Sequence, residues 1–435
     1  MQRLPALCIT LAAMLYASPA ASEAGSTTAK NALALIASDY ATAIKDHAPP
    51  PIQLSVADML GKLESPEALA AQHRTFKKLA ERLTKIKDST LTTCERIDHA
   101  VLLHETRALA TRAELGQRYR EGTAEIETDA TPATLRDIPD AGQWYRYRLT
   151  RWLGDDLTTD ELFKFGESAL KQSVADFDAL DTTTKTTREF IDGGESTEAL
   201  FSDRQATVWK NVDRYFPITP KITKAHIARA NLPDFPAPGY YDAANTTFFY
   251  NVPEDGYDPN EADWLFLHEA TPGHHYQSQF AQHHTVCNPL VERPFNPTYA
   301  EGWAAYVETL GGTLGLYKTA GARRAAIEWD MVRSVRVVLD IGLNAYGWSD
   351  ADAHDYWHEH VRGQRDIAER EIKRLRLWPA QAITYKHGAA VFSSLQQRFL
   401  ATHDQQDALK GFHLWALQHG PVPMATLKRL AADWP

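Results

Sequence analysis

The 435-residue sequence predicts a mostly α-helical fold with one small β-sheet. Two observations carry that expectation. Long stretches on both sides of the middle place apolar residues at three- and four-residue steps, the period of an amphipathic helix. Between them, residues 216–256 are rich in proline and hold the β-branched and aromatic runs that suit strands.

The chain opens with "MQRLPALCITLAAMLYASPAASEAG". Arg3 gives a positive start, Leu4 to Ala17 form an apolar run, and Ser18, Pro19 and Ala20 offer a small-residue cleavage site. The run is too short to span a bilayer, so a secretory signal peptide is expected over residues 1–21, and a periplasmic or secreted location with it. An uncleaved anchor is the other reading. No small-residue lipobox leads into Cys8, which argues against lipidation.

Residues 22–435 are then read as one domain, with a helical N-terminal part over about 27–215 and a second part over about 216–435. "ALAAQHRTFKKLAERLTKIKD" and "HAVLLHETRALATRAELGQRYREG" read as amphipathic helices, and "PPPIQ", Pro132 and Pro139 interrupt the helical text. It resumes in "QWYRYRLTRWLG" and "TTDELFKFGESALKQSVADFDAL", where Thr158 or Thr159 can cap a helix whose first turn carries Glu161. "KITKAHI" and "TTFFYNV" are the strand candidates, and helical text runs from Asn260 to the C-terminus.

With 44% hydrophobic and 10% aromatic residues the chain can bury a large core. Its net charge of -10 and lack of a long basic stripe exclude nucleic acid as an expected partner. After signal cleavage no stretch reaches the roughly 18 apolar residues of a membrane span, so no membrane partner is expected. Cys94 and Cys287 are too few for a disulfide framework, though they can pair in an oxidising compartment. Nothing in the pattern sets an oligomeric state.

The chemistry concentrates in "LHEATPGHHYQ", residues 267–277. It resembles the H-E-x-x-H zinc motif of metallopeptidases, but Pro272 stands where the second histidine belongs. His274 follows His268 by six residues, which on a regular helix is about 240° round the axis. His275 follows by seven, nearly on the same face but roughly 10 Å along it. Zinc–nitrogen bonds are about 2.0–2.1 Å, so an unbroken helix chelates with neither pair. Pro272 removes a backbone donor and Gly273 permits unusual backbone angles. If the two loop out, His274 takes the second ligand position and Glu269 keeps its place beside the metal. The competing reading is a helix that ends at Pro-Gly and restarts with surface histidines.

A third ligand is available in "YAEGWAAYVETLGG". Gluzincins take theirs from a glutamate on a later helix. Glu301 and Glu308 lie seven residues apart and can share a helix face among apolar neighbours, where carboxylates are rare unless paired or metal-bound. Glu301 is the expected ligand. Glu308 is either an outer partner of a ligating histidine or a salt-bridged carboxylate.

"HEATPGHHYQ", "YAEGWAAYVE", "RVVLDIGLNAYGWS" and "PAQAITYKHG", in that order, resemble the bacterial domain-of-unknown-function 885 family, which is placed with the gluzincin-like metallopeptidases. The resemblance runs from roughly Phe216 to Leu400, and more loosely upstream through "GQWYRYRLTRWLGDDLTTDEL". It implies a large helical gluzincin-like fold with the small sheet beside the active site, one zinc ion and peptidase activity on peptide substrates. It supplies no defined substrate.

Three further places suit a peptidase. "TTFFYNV", with Tyr250, is the expected edge strand that pairs with a substrate backbone. Arg336 and Asp340 lie four apart and can pair, orienting a ligand or a substrate carboxylate. The family usually has a histidine where this chain has Asn344, which can donate a hydrogen bond but carries no charge. Tyr385, with Gln381 four residues earlier, is either an oxyanion donor or a core tyrosine. His275 is kept as a neighbour of the site. His283, His284 and the "HDYWHEH" histidines read as surface residues.

The expected function is a zinc metallopeptidase for short peptides. Zinc on His268, His274 and Glu301 keeps a position for water and lowers its pKa to about 7, and Glu269 moves the proton. The alternatives are a zinc hydrolase of another amide or ester, and a non-catalytic peptide-binding protein of the same fold.

Overall fold

A computed structural model describes residues 19–123, 132–180, 189–192, 194–231, 237–284, 286–403 and 407–434. The expected signal segment lies outside these except for its last three residues. No described helix is long and apolar enough to cross a membrane.

The described residues form sixteen α-helices and one sheet. The first seven helices are α1 (Pro19–His47), α2 (Val56–Gly61), α3 (Pro66–Leu83), α4 (Thr93–Thr123), α5 (Ala141–Leu153), α6 (Thr159–Asp178) and α7 (Glu195–Trp209). Local chemistry sets several of their ends. Ser65 caps α3 from the residue before Pro66. Thr158 and Glu161 form a full capping box on α6.

The sheet follows, with β1 (His226–Arg229), β2 (Gly239–Asp242) and β3 (Thr247–Tyr250). Its spatial order is β1-β3-β2. β1 runs parallel to β3, and β2 runs antiparallel to it. The strand expected at the edge is therefore the central one. A strand flanked on both sides has no free backbone to offer a substrate. Tyr250 on β3 is buried, its ring 5.2 Å from that of Phe201, so it belongs to the core and not to a site.

The remaining helices are α8 (Ala262–Glu269), α9 (His274–His284), α10 (Pro297–Glu308), α11 (Ala320–Asn344), α12 (Asp350–His360), α13 (Ala368–Leu377), α14 (Ile383–Thr402), α15 (Ala408–Gln418) and α16 (Met424–Ala431). The largest buried cluster draws on both parts of the chain, joining Ile97, Val101 and Phe201 to Phe216, Trp303, Leu339 and Phe392. Cys94 and Cys287 form a disulfide across 193 positions, tying the start of α4 to the segment after α9.

Two contacts place the helices that matter most. α10 and α14 cross at Gly302 and Gly388, where a Cβ on Gly302 would lie 2.4 Å from the Gly388 Cα. That crossing sets Glu301 of α10 near Tyr385 of α14. α11 is held by Asp340, which accepts from the Tyr145 hydroxyl at 2.7 Å and from the Ala380 amide at 3.0 Å.

A methyl at the α10–α14 crossing has nowhere to go, and overpacking of this kind costs about 1–3 kcal/mol. Gly302→Ala is expected to destabilise the chain by that amount, measured by equilibrium unfolding in denaturant. An unchanged midpoint would show that the helices are free to separate.

Candidate metal centre

α8 is buried along its whole length and ends at Glu269. Its ladder cannot run on through Pro272, which has no amide hydrogen to give. Gly273 then passes so close beneath α8 that a Cβ there would lie 1.9 Å from the His268 carbonyl oxygen. Only glycine fits. The Trp303 indole donates to the Pro272 carbonyl at 2.9 Å and pins the break against α10. α9 restarts at His274.

The break turns two imidazoles toward each other. The rings of His268 and His274 lie 4.8 Å apart at 87°. Both Nε2 atoms lie 3.4 Å from the same oxygen, Oε2 of Glu301. Among the described residues, these three form the group whose ligand atoms, within 4.8 Å of one another, could hold a metal ion. Ligands about 2.0–2.1 Å from a tetrahedral centre sit roughly 3.3 Å from each other. The two 3.4 Å separations fit that spacing.

The outer contacts fix the tautomer. Glu308 lies 2.7 Å from Nδ1 of His268 and receives Arg333 at 2.6 Å on its other oxygen. A carboxylate only accepts, so Nδ1 donates, and in the neutral imidazole Nε2 is left to face the centre. Arg333 is itself buried, with its guanidinium 5.4 Å from the Trp264 ring. His268 thus has the carboxylate partner that metal-binding histidines commonly use.

Charge in the site is strongly perturbed. Burial disfavours the His268 cation, but Glu301 and Glu308 overcome it and push its pKa up to about 9. Burial also opposes ionisation of Glu301, yet the two imidazoles hold it well below the carboxylate range. Glu269 is shifted upward, chiefly by burial, with the two histidines working against the shift. A buried carboxylate raised in this way is a better base than an exposed one.

A cavity of about 580 Å³ opens beside the cluster. His268, Glu269, His274, Glu301 and Tyr385 line one side of it. Gly239, Tyr240 and Tyr241 of β2 line another. Tyr385 lies with its ring 6.0 Å from that of His268. Its hydroxyl accepts from Arg374 and Gln381, both at 3.4 Å, which leaves its own proton free to donate.

Other expected residues are placed differently. Arg336 does not pair with Asp340. It reaches Glu371 on α13 at 2.8 Å, because α13 packs along the cavity side of α11 while Asp340 faces α5. Asn344 donates to the Asp340 and Leu375 carbonyls and does not line the cavity, so it stitches α11 to α13. His275 points away from His274. It lies 2.8 Å from the Thr223 carbonyl and 3.2 Å from the Tyr241 hydroxyl, and so steadies β2 instead of ligating. His283 and His284 are the last turn of α9, and His284 meets Thr219 at 2.7 Å. His354 of α12 pairs with the exposed Glu369 of α13 at 2.7 Å.

Reading the residues missed two parts of the wall. One is β2 itself, whose "GYYD" sits inside the proline-rich stretch. The other is the basic face of α13. The available signal was weak in both cases, a four-residue run and a helix whose charges look solvated.

Known proteins offer two kinds of likeness. The family model described as "Bacterial protein of unknown function (DUF885)" matches residues 103–430. A candidate lipoprotein from Colwellia psychrerythraea is similar in structure, with a TM-score of 0.61 at 20% identity over 86% of this chain and 71% of that one. A candidate lipoprotein of unknown function from Shewanella oneidensis has a TM-score of 0.60 at 15% identity over 96% of this chain and 100% of that one. At such identities the likeness speaks for the fold alone. No curated protein matches the chain in sequence.

Glu308→Gln keeps the shape beside His268 but removes the charge. It is expected to weaken Zn²⁺ binding about 10- to 100-fold, read by competition against a chromophoric chelator. Equal affinity in the two proteins would show that Glu308 serves Arg333 alone.

Proposed function

We propose that this chain, which belongs to the DUF885 family of bacterial proteins, is a zinc-dependent hydrolase of peptide bonds with a gluzincin-like arrangement of its site. The observation that carries the reading is the convergence of His268, His274 and Glu301 next to the buried carboxylate of Glu269. Mixed imidazole and carboxylate donors suit zinc. Zinc bound there would act as a Lewis acid toward a carbonyl and make a water nucleophilic near neutral pH.

The chain's own groups supply the rest. Glu269 lines the cavity one residue after His268, where it can accept a proton from the attacking water and return it to the leaving nitrogen. Tyr385 can donate its hydroxyl hydrogen to the developing oxyanion. β2 is the strand at the cavity, and Gly239, Tyr240 and Tyr241 form a wall against which an extended peptide can lie. A cavity of about 580 Å³ has room for a few residues and none for a folded protein, so short peptides are the substrate class. An extracytoplasmic location is consistent with the description of both structural neighbours as candidate lipoproteins.

Glu269→Gln is expected to bind zinc with wild-type stoichiometry and to hydrolyse a short-peptide library about 100- to 10,000-fold more slowly. Metal content by mass spectrometry and product analysis of the library read both quantities. Wild-type turnover in the variant would remove Glu269 from the chemistry.

A further inference from the structure

The cavity has a second wall whose chemistry is distinct from the metal centre. Glu371 of α13 is buried and is approached by three guanidinium groups. Arg336 lies at 2.8 Å, Arg370 at 3.4 Å and Arg374 at 3.9 Å. One carboxylate therefore faces three cations, and Lys373 lines the same cavity. The chain as a whole carries a net charge of -10, so this local excess of positive charge runs against the composition. The carboxylates of Glu269 and Glu301 lie at the metal end of the cavity, and a wall with an excess of one sign at the other end concentrates ligands of the opposite sign there.

The distance from the metal centre is set by one aromatic ring. Tyr385 has the His268 ring 6.0 Å from its centroid, the Arg374 Cζ at 5.8 Å and the Arg336 Cζ at 5.9 Å. An extended residue spans about 3.5 Å, so the guanidiniums lie within reach of at most about three residues from the His268 ring, and a short C-terminal segment can bridge a carbonyl at the metal and an anion at the guanidiniums. The anion that every free peptide carries close to its last bonds, whatever its side chains, is its own C-terminal carboxylate. Planar guanidiniums are suited to that group.

We propose that Arg374, with Arg336 and Arg370, binds the C-terminal carboxylate of the substrate, making the chain a C-terminal exopeptidase that releases a short C-terminal segment. This rests on the hydrolase reading above. Water adds to the scissile carbonyl and the C–N bond breaks. The proton taken by Glu269 goes to the leaving nitrogen, and the products are a shortened peptide acid and a free amino acid or short peptide. Arg374 is the central member, since it also donates to Tyr385 and Gln381 and remains 31% exposed.

The test uses the zinc-loaded chain and a pooled library of N-acetylated tripeptides, made once as free acids and once as C-terminal amides, with products identified by mass spectrometry. Acids are expected to be cleaved about 10- to 100-fold faster than amides, since a hydrogen bond between charged groups is worth about that much. Arg374→Gln is expected to shrink that ratio about 10-fold or more. Arg370→Gln, at an exposed position whose ion pair is with Glu371, is expected to shrink it less and covers the case in which the first variant misfolds. Equal cleavage of acids and amides by the wild type would overturn the carboxylate site and leave the hydrolase standing. If the wild type cleaves neither, the hydrolase reading fails, and titration of one acid–amide pair into the Glu269→Gln chain decides the rest. Tighter binding of the acid would uphold the carboxylate site, and equal binding would end it.

Discussion

The constraint on which the rest of the site depends is the interruption of one helix at residues 270–273. An unbroken helix would hold His268 and His274 on different faces. Here Pro272 ends the hydrogen-bond ladder of α8, and Gly273 lets α9 start against the His268 carbonyl. The result is two perpendicular imidazoles with Nε2 atoms equidistant from one carboxylate oxygen. The anchor for the break is not local. Trp303 holds the Pro272 carbonyl from α10, the same helix that carries Glu301. The break and the third ligand are thus positioned by one element.

Around that element the fold uses close backbone approach and buried charge. Gly302 and Gly388 let α10 and α14 meet backbone to backbone, which brings Tyr385 toward the cluster. Glu308 and Arg333 form a buried pair behind His268, and Arg336 and Glu371 form another in front of Tyr385. Buried pairs of this kind contribute little net stability, because desolvation offsets their attraction. Their value here is positional. Each locks a group that lines the cavity.

The helical class was legible because amphipathic periods are strong over long segments, and α3 to α6 fall on the stretches that show them. The His268, His274 and Glu301 grouping was legible from three facts together: a His-Glu pair, a Pro-Gly insertion and a carboxylate on an apolar helix. Strand order was not. β3, with the stronger β-forming residues, is central, while "GYYD" of β2 flanks it among the described strands, and nothing in the residues sets that order. The Arg336–Asp340 pairing failed because four-residue spacing shows only that two side chains can meet. Tertiary contacts gave Arg336 to Glu371 and Asp340 to Tyr145. The basic face of α13 was invisible for the same reason. "REIKRLRLWP" has the charge spacing of a solvated helix, and only the packing of α13 over α11 turns it into a cavity wall. The Cys94–Cys287 bond likewise required the fold, since the sequence set no distance between the two.

The most direct test of the central claim is anomalous diffraction at the zinc edge from crystals of the zinc-loaded chain. A single strong peak about 2.0–2.1 Å from Nε2 of His268, Nε2 of His274 and a carboxylate oxygen of Glu301 is the expected result. A zinc peak elsewhere in the molecule with these three side chains unligated would contradict it.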